Sequence, residues 1–202
     1  MTDKTADTNH PIHASLATRW SPYCFAPTPV SQADLASLFE AARWAASSFN
    51  EQPWRFIVGQ ADAGDGVHRR ILKCLVEANQ HWAANAPVLV LALTAKRFTK
   101  NDKPNGAHQH DLGLAVGNLV VEATTRGLAC HQMSGIDADA AAAEFSVPED
   151  VTVLTAIAIG TADTAHVADD DLVARDRGER ARKPLSAFVF GAEYGQSADW
   201  SR

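Results

Sequence analysis

No apolar run in this sequence approaches the roughly 18 residues that cross a bilayer, and its first residues hold no hydrophobic stretch of signal-peptide length. The expectation is a cytoplasmic protein with no membrane partner. Cysteine is sparse. Cys24, Cys74 and Cys130 are odd in number and far apart, which argues against a disulfide framework or a zinc knuckle and fits a reducing compartment. Positive charge is short as well. Eighteen Lys and Arg against 24 Asp and Glu leave a formal net charge of −6, so no nucleic-acid partner is expected, because clustered cations drive that binding. No G-x-G-x-x-G or P-loop lysine follows a strand, and serine or cysteine nucleophile motifs are missing. His108, Gln109, His110 and Asp111 invite a metal reading, yet the Leu-Gly-Leu-Ala-Val run after them offers no further donor. No metal site is expected. His131 next to Cys130 reads as a rim histidine beside a core thiol, since neighbours on a strand point to opposite faces.

What is present is apolar material: 46% of 202 residues are hydrophobic, enough for one domain with a substantial core. Residues 1–10 are polar and are expected to form a disordered tail, with residues 11–202 a single domain ending in a C-terminal arm. Pro11–Thr18 reads as a short helix, and Pro22, Pro27 and Pro29 then force an extended path. Leu35, Leu38, Phe39, Ala42 and Ala45 recur at helical spacing over Gln32–Ala45, with Ser31 and Asp34 placed as a capping box. Trp54–Val58 reads as a strand, 59–66 as a turn-rich break, and Val67–Trp82 as one helix. Pro87–Thr94 has the unbroken apolar pattern of a strand covered on both faces. Lys96–Ala107 is a polar loop, His110–Arg126 the longest helix, and Gly127 its C-terminal cap. Leu128–Met133 and Val151–Ile159 read as strands around a short helix at Asp137–Phe145. Strands separated by helices, with no internal repeat, predict an α/β or α+β sandwich.

Two stretches carry more hydrogen-bonding chemistry than a plain core needs. Ala46–Trp54 reads Ala-Ser-Ser-Phe-Asn-Glu-Gln-Pro-Trp, packing hydroxyls and side-chain amides between a helix and a strand. Such a loop serves a ligand, or its Ser47, Ser48 and Asn50 merely cap and turn the chain. Near the C-terminus Arg175, Arg177, Arg180, Arg182 and Lys183 concentrate positive charge. That cluster is sized for one anion, or else forms a solvated face balanced by Asp169, Asp170 and Asp171. Arg19 and Ser21 flank Trp20 and can offer a guanidinium and a hydroxyl to one phosphate.

Taken jointly, Arg19-Trp20-Ser21, the Ser-Ser-x-Asn-x-Gln-Pro-Trp core, Gly127-Leu128, Met133-Ser134-Gly135-Ile136-Asp137 and Arg180-Ala181-Arg182-Lys183-Pro184-Leu185 resemble the nitroreductase family of FMN-dependent oxidoreductases. The resemblance implies an α+β sandwich, a central mainly antiparallel sheet flanked by helices, in an intertwined homodimer with FMN at the subunit interface. It implies FMN contacts at Arg19, Trp20, Ser21, Tyr23, Ala46, Ser47, Ser48, Asn50, Gln132, Met133, Ser134, Gly135, Arg180 and Arg182. Within that set, Arg19, Ser21, Arg180 and Arg182 would hold the phosphate, and Ser47, Ser48 and Asn50 would reach the flavin from the partner subunit. Ser134 and Gly135 would present backbone amides near the reactive end of the ring. The family often carries a basic residue where Tyr23 stands and proline where Ala46 stands. No side chain is expected to be catalytic, because the flavin carries the chemistry. The implied activity is NAD(P)H-driven, ping-pong reduction of nitroaromatics, quinones or similar electron-poor small molecules. The alternative is a flavin-binding or storage protein without efficient turnover.

Overall fold

A computed structural model describes residues 4–165 and 169–201. Four strands, β1 (Trp54–Gln60), β2 (Val88–Ala95), β3 (Ala129–Met133) and β4 (Val151–Gly160), form one sheet in the order β1-β2-β4-β3. Every neighbouring pair is antiparallel, as the α+β expectation requires. Seven α-helices accompany the sheet among the described residues: α1 (Ala14–Thr18), α2 (Gln32–Arg43), α3 (Val67–Lys73), α4 (Glu77–Ala83), α5 (His108–Thr125), α6 (Ala138–Glu144) and α7 (Asp170–Arg177).

Strand alternation divides the interior into two layers. Leu89, Leu91 and Leu93 of β2 and Ala156 and Ala158 of β4 pack with Ile71, Trp82, Leu172 and Val173. Val88, Val90 and Ala92, with Ile157 and Ile159, face Leu38, Leu112, Val116 and Leu119. α2 and α5 therefore cover one face, and α3, α4, α6 and α7 the other. Because both faces are covered, β2 is buried from Val88 through Thr94. The β2–β4 register shifts between Ala92 and Leu93. That bulge reverses the parity of β4, so Val153 joins the first layer while Leu154 leans on the second.

α2 starts where the sequence places it: the Ser31 hydroxyl accepts from the Asp34 amide at 3.0 Å. The single helix expected over Val67–Trp82 is instead two. Val76 is extended at φ −63 and ψ 151, and the chain around it pairs with the segment after β3. The Val76 amide donates to Gly135 O and the Asp137 amide to Cys74 O, around an isolated bridge from Leu75 to Ile136. Tertiary pairing has overridden a helical apolar period. α7 falls in the charge run, where sequence reasoning places no helix. Asp169 caps it by accepting from the Asp171 and Leu172 amides, and Leu172 and Val173 bury its inner side.

Residues 1–3 of the expected tail lie outside the described residues. From Lys4 onward the segment is tied to α1 and to the C-terminal arm: the Ala6 amide donates to Ala17 O at 2.9 Å, and Lys4 Nζ to Gly178 O. Among the described residues no helix is long and apolar enough to cross a membrane.

Candidate functional site

Short α1 ends at Thr18, and the chain turns extended at Arg19, φ −63 and ψ 126. This puts Arg19 and Ser21 on a strip of irregular backbone, where the Arg19 guanidinium donates to the Ser21 hydroxyl at 3.2 Å. Arg180 crosses to the same strip. Its guanidinium donates to Arg19 O and Ala17 O, each at 2.7 Å. Arg182 stands close enough to depress both other arginines. Burial first, then Arg180 and Arg182, lower the Arg19 pKa, and Arg180 is lowered by burial and then by Arg182. None of the three pairs with a carboxylate among the described residues. Arg19, Arg180 and Arg182 share a cavity of about 1090 Å³ with Ile12, Phe188 and Trp200. A cationic rim beside an apolar hollow suits a ligand that is anionic at one end and flat and apolar at the other.

The strip is held from below by groups that sequence reasoning did not single out. Asp176 of α7 is buried, and its two oxygens accept the Tyr23 and Cys24 amides, both at 2.9 Å. The His131 ring donates from Nδ1 to Pro22 O at 2.8 Å, and burial lowers its pKa. Tyr23 packs edge-on against Trp82 and His131 at 5.3 and 4.8 Å, with the Arg175 guanidinium over its ring. Its side chain therefore belongs to an aromatic cluster. Trp20 borders a smaller cavity of about 240 Å³ together with Arg19, Thr124 and Gly127, and Lys4 Nζ sits 5.1 Å from its ring centre.

The Ala46–Gln52 loop is a second, separate centre. Phe49, Asn50 and Gln52 all take positive φ, 53, 57 and 54 respectively, a run of left-handed conformations that costs energy outside glycine. Three bonds offset it. The Ser47 hydroxyl accepts from the Gln52 amide at 3.0 Å, and Ser47 O accepts from the Asn50 amide. Buried Asp111, in the first turn of α5, accepts the Ser48 amide at 3.0 Å. Asp111 thus serves as a loop anchor, and no metal-binding group is found among the described residues. Asn50 and Phe49 remain exposed, the Phe49 ring meeting Phe98 edge-on and Lys100 from above.

A third group follows β3. Met133 is buried in the first core layer, leaving only its backbone for a ligand, while Gln132 and Ser134 are exposed. Gly135 O accepts from the Val76 amide and from Asn79 Nδ2. A side chain at 135 would meet Asn79 Nδ2 at 2.5 Å and Val76 Cγ2 at 2.8 Å, so this corner admits only glycine without rearrangement.

One chain does not join these centres. The 18 residues of α5 span about 27 Å, with Asp111 and the Ser48 loop at its start and Thr124 and Arg19 near its end. The sheet separates them too. The loop enters at edge strand β1, whereas the arginine strip and the Gly135 corner lie at the two ends of the other edge strand, β3.

Comparison with known proteins agrees with this architecture. The nitroreductase family model matches residues 16–161, and the chain belongs to that family. Among curated relatives, an uncharacterized 15.4 kDa protein of Mycolicibacterium smegmatis is 32% identical over 148 residues, 70% of this chain and 97% of that one. The major NAD(P)H-flavin oxidoreductase of Aliivibrio fischeri is 51% identical over 94 residues, 46% of this chain and 43% of that protein. A crystal structure of an oxidoreductase containing FMN superposes with a TM-score of 0.87 at 29% identity, covering 98% of this chain and 100% of that one.

Proposed function

We propose that this protein is an FMN-dependent, NAD(P)H-driven oxidoreductase whose flavin site is completed by a second copy of the chain. The observation that carries this is the set of three guanidiniums of Arg19, Arg180 and Arg182, with no carboxylate partner among the described residues, at the edge of an apolar cavity in a nitroreductase-family fold. The residues fit the group. A phosphate dianion would offset the burial and the repulsion by Arg180 and Arg182 that depress Arg19, and Ile12, Phe188 and Trp200 offer apolar area to a flat ring system. The Ser48 loop lies at one end of α5 and this cradle near the other, a helix length of about 27 Å, which supports assembly from two chains, each lending its loop to the other's cradle.

FMN, when bound, supplies hydride chemistry between the nicotinamide and an electron-poor acceptor such as a nitroaromatic or a quinone. The chain's own residues bind and orient. Arg19, Ser21, Arg180 and Arg182 hold the phosphate; Ser47, Ser48 and Asn50 of the second copy donate to ring oxygens or ribityl hydroxyls. Ser134 and Gly135 border the ring with backbone polar groups on a corner kept rigid by Val76 and Asn79.

The purified protein is expected to be yellow and to oxidise NAD(P)H when a nitroaromatic or quinone is supplied. Arg19→Ala and Arg182→Ala should each weaken FMN binding about ten- to hundredfold, the loss of one charge-assisted hydrogen bond, and leave riboflavin binding nearly unchanged. Equal weakening of both flavins would remove the phosphate role. Bound flavin that NAD(P)H cannot reduce would make the protein a flavin carrier.

A further inference from the structure

Each half of the site rests on one buried aspartate that pairs with no Lys or Arg among the described residues. Asp176 is 4% exposed and Asp111 2%. A buried carboxylate needs donors, and each finds one in the backbone of a site loop: Asp176 takes the Tyr23 and Cys24 amides, and Asp111 takes the Ser48 amide on one oxygen with His110 Nδ1 3.5 Å from the other. We infer that Asp176 is the positioning residue behind preference for a phosphorylated flavin, and that Asp111 has the corresponding role for the flavin ring, irrespective of phosphate. This inference rests on the FMN reading above.

Among the described residues, the backbone amides that Asp176 accepts lie on the strip that carries the phosphate cradle. Asp176 and Arg180 are four residues apart, and together they make four hydrogen bonds to the strip that carries Arg19 and Ser21. Arg180 holds Ala17 O and Arg19 O, and Asp176 holds the amides of residues 23 and 24. His131 fixes Pro22 O between them. The two sequence-distant sources of phosphate-binding cations are thereby locked in one register, with Arg19 and Ser21 between fixed points. Removing the Asp176 charge leaves Arg19 and Arg182 in the molecule but frees the spacing between them. A phosphate held by several convergent donors is sensitive to such a shift, as its alignment requires all of them at once. Asp111 lies with the Ser48 loop, beyond the length of α5, and has no comparable link to the arginines.

The test measures FMN and riboflavin dissociation constants by flavin fluorescence for the wild type, Asp176→Asn and Asp111→Asn, alongside apo melting temperatures and the ³¹P resonance of bound FMN. Asp176→Asn is expected to weaken FMN about tenfold or more, to leave riboflavin within about twofold, and to shift the ³¹P signal. Asp111→Asn is expected to weaken both flavins by the same factor. A merely structural aspartate would lower stability without changing the FMN-to-riboflavin ratio, and that result for a folded Asp176→Asn overturns the inference. Should Asp176→Asn fail to fold, His131→Phe loosens the same strip at Pro22 while keeping an aromatic ring, and equal losses for the two flavins again overturn it. A wild type that binds both flavins alike sinks the FMN reading and this inference together, whereas a wild type that selects FMN beside an equally selective Asp176→Asn sinks this inference alone.

Discussion

Asn50 is a left-handed backbone position and, on the proposed reading, a flavin contact, and the two are separated by choice of substitution. Its φ of 57 is a conformation asparagine tolerates and alanine resists, so Asn50→Ala alters backbone strain as well as the amide. Asn50→Gly keeps the backbone and deletes only the side chain. The expectation is a Gly variant with near-normal apo melting temperature but weakened flavin binding, and an Ala variant about 1 kcal/mol less stable on denaturant titration. Titratable residues give a second check at this scale. Burial lowers the His131 pKa from its ordinary 6.5, so the unfolded chain takes up the proton first. The contribution of His131 to stability is therefore complete above pH 6.5 and lost as pH falls from there toward the folded value. Melting curves between pH 7.5 and 5 should show this slope in the wild type and a shallower one in His131→Phe. Burial also pushes the Cys24 and Cys130 thiols up to about 12, and raises Cys74. Ellman's reagent at pH 8 should leave the native protein unlabelled and react with all three thiols after denaturation.

Elements are held to one another more by irregular backbone than by side chains at several junctions. β1 and α3 approach so closely at Gly59 that a Cβ there would lie 2.4 Å from the His68 amide nitrogen. Neither partner is a flexible side chain, so Gly59→Ala must displace the helix start. A loss of about 1–3 kcal/mol is expected on denaturant titration, and an unchanged midpoint would contradict the close approach. The break between α3 and α4 has the same character. Its amides and carbonyls are satisfied by the segment after β3, which brings Gly135 under Val76 and Asn79 and fixes a corner of the candidate site. Gly127, at φ 73, ends α5 as its position after the last apolar residue predicts.

At the scale of the whole molecule the question is what covers α5. Gly113, Leu114, Gly117 and Asn118 are exposed along it, and a Cβ at either glycine meets nothing within 4 Å in the same chain. Exposed glycine in a helix interior is otherwise unfavourable by about 0.8–1 kcal/mol relative to alanine, which favours a close-packed second copy as the reason for it. The variant carrying both Gly113→Leu and Gly117→Leu should elute as a monomer in light-scattering chromatography and lose its flavin absorbance. A dimeric, yellow double variant would place the interface, and the shared site, elsewhere on the surface.

Local chemistry made much of this protein legible from sequence. The apolar run of β2, the Ser31 cap of α2, the Gly127 stop and the Ser-Ser-x-Asn-x-Gln-Pro-Trp loop depend on neighbours within a few residues, and such neighbours are adjacent in the string. The nitroreductase resemblance drew on the same short segments in order. Tertiary structure alone decided the rest. The helical period of Val67–Trp82 is real, yet backbone pairing with Gly135 and Asp137 breaks it, because unpaired buried amides cost more than a lost helical turn. Asp111 stands in the sequence beside a His-Gln-His stretch whose metal reading is set aside, and Asp176 is not singled out at all. Each is a buried acceptor whose donors lie 63 and 152–153 residues away in sequence, a distance over which no periodicity or spacing carries information. The arginine cradle and the Ser48 loop were both readable as ligand-binding chemistry, but only the folded α5 shows that one chain holds them apart.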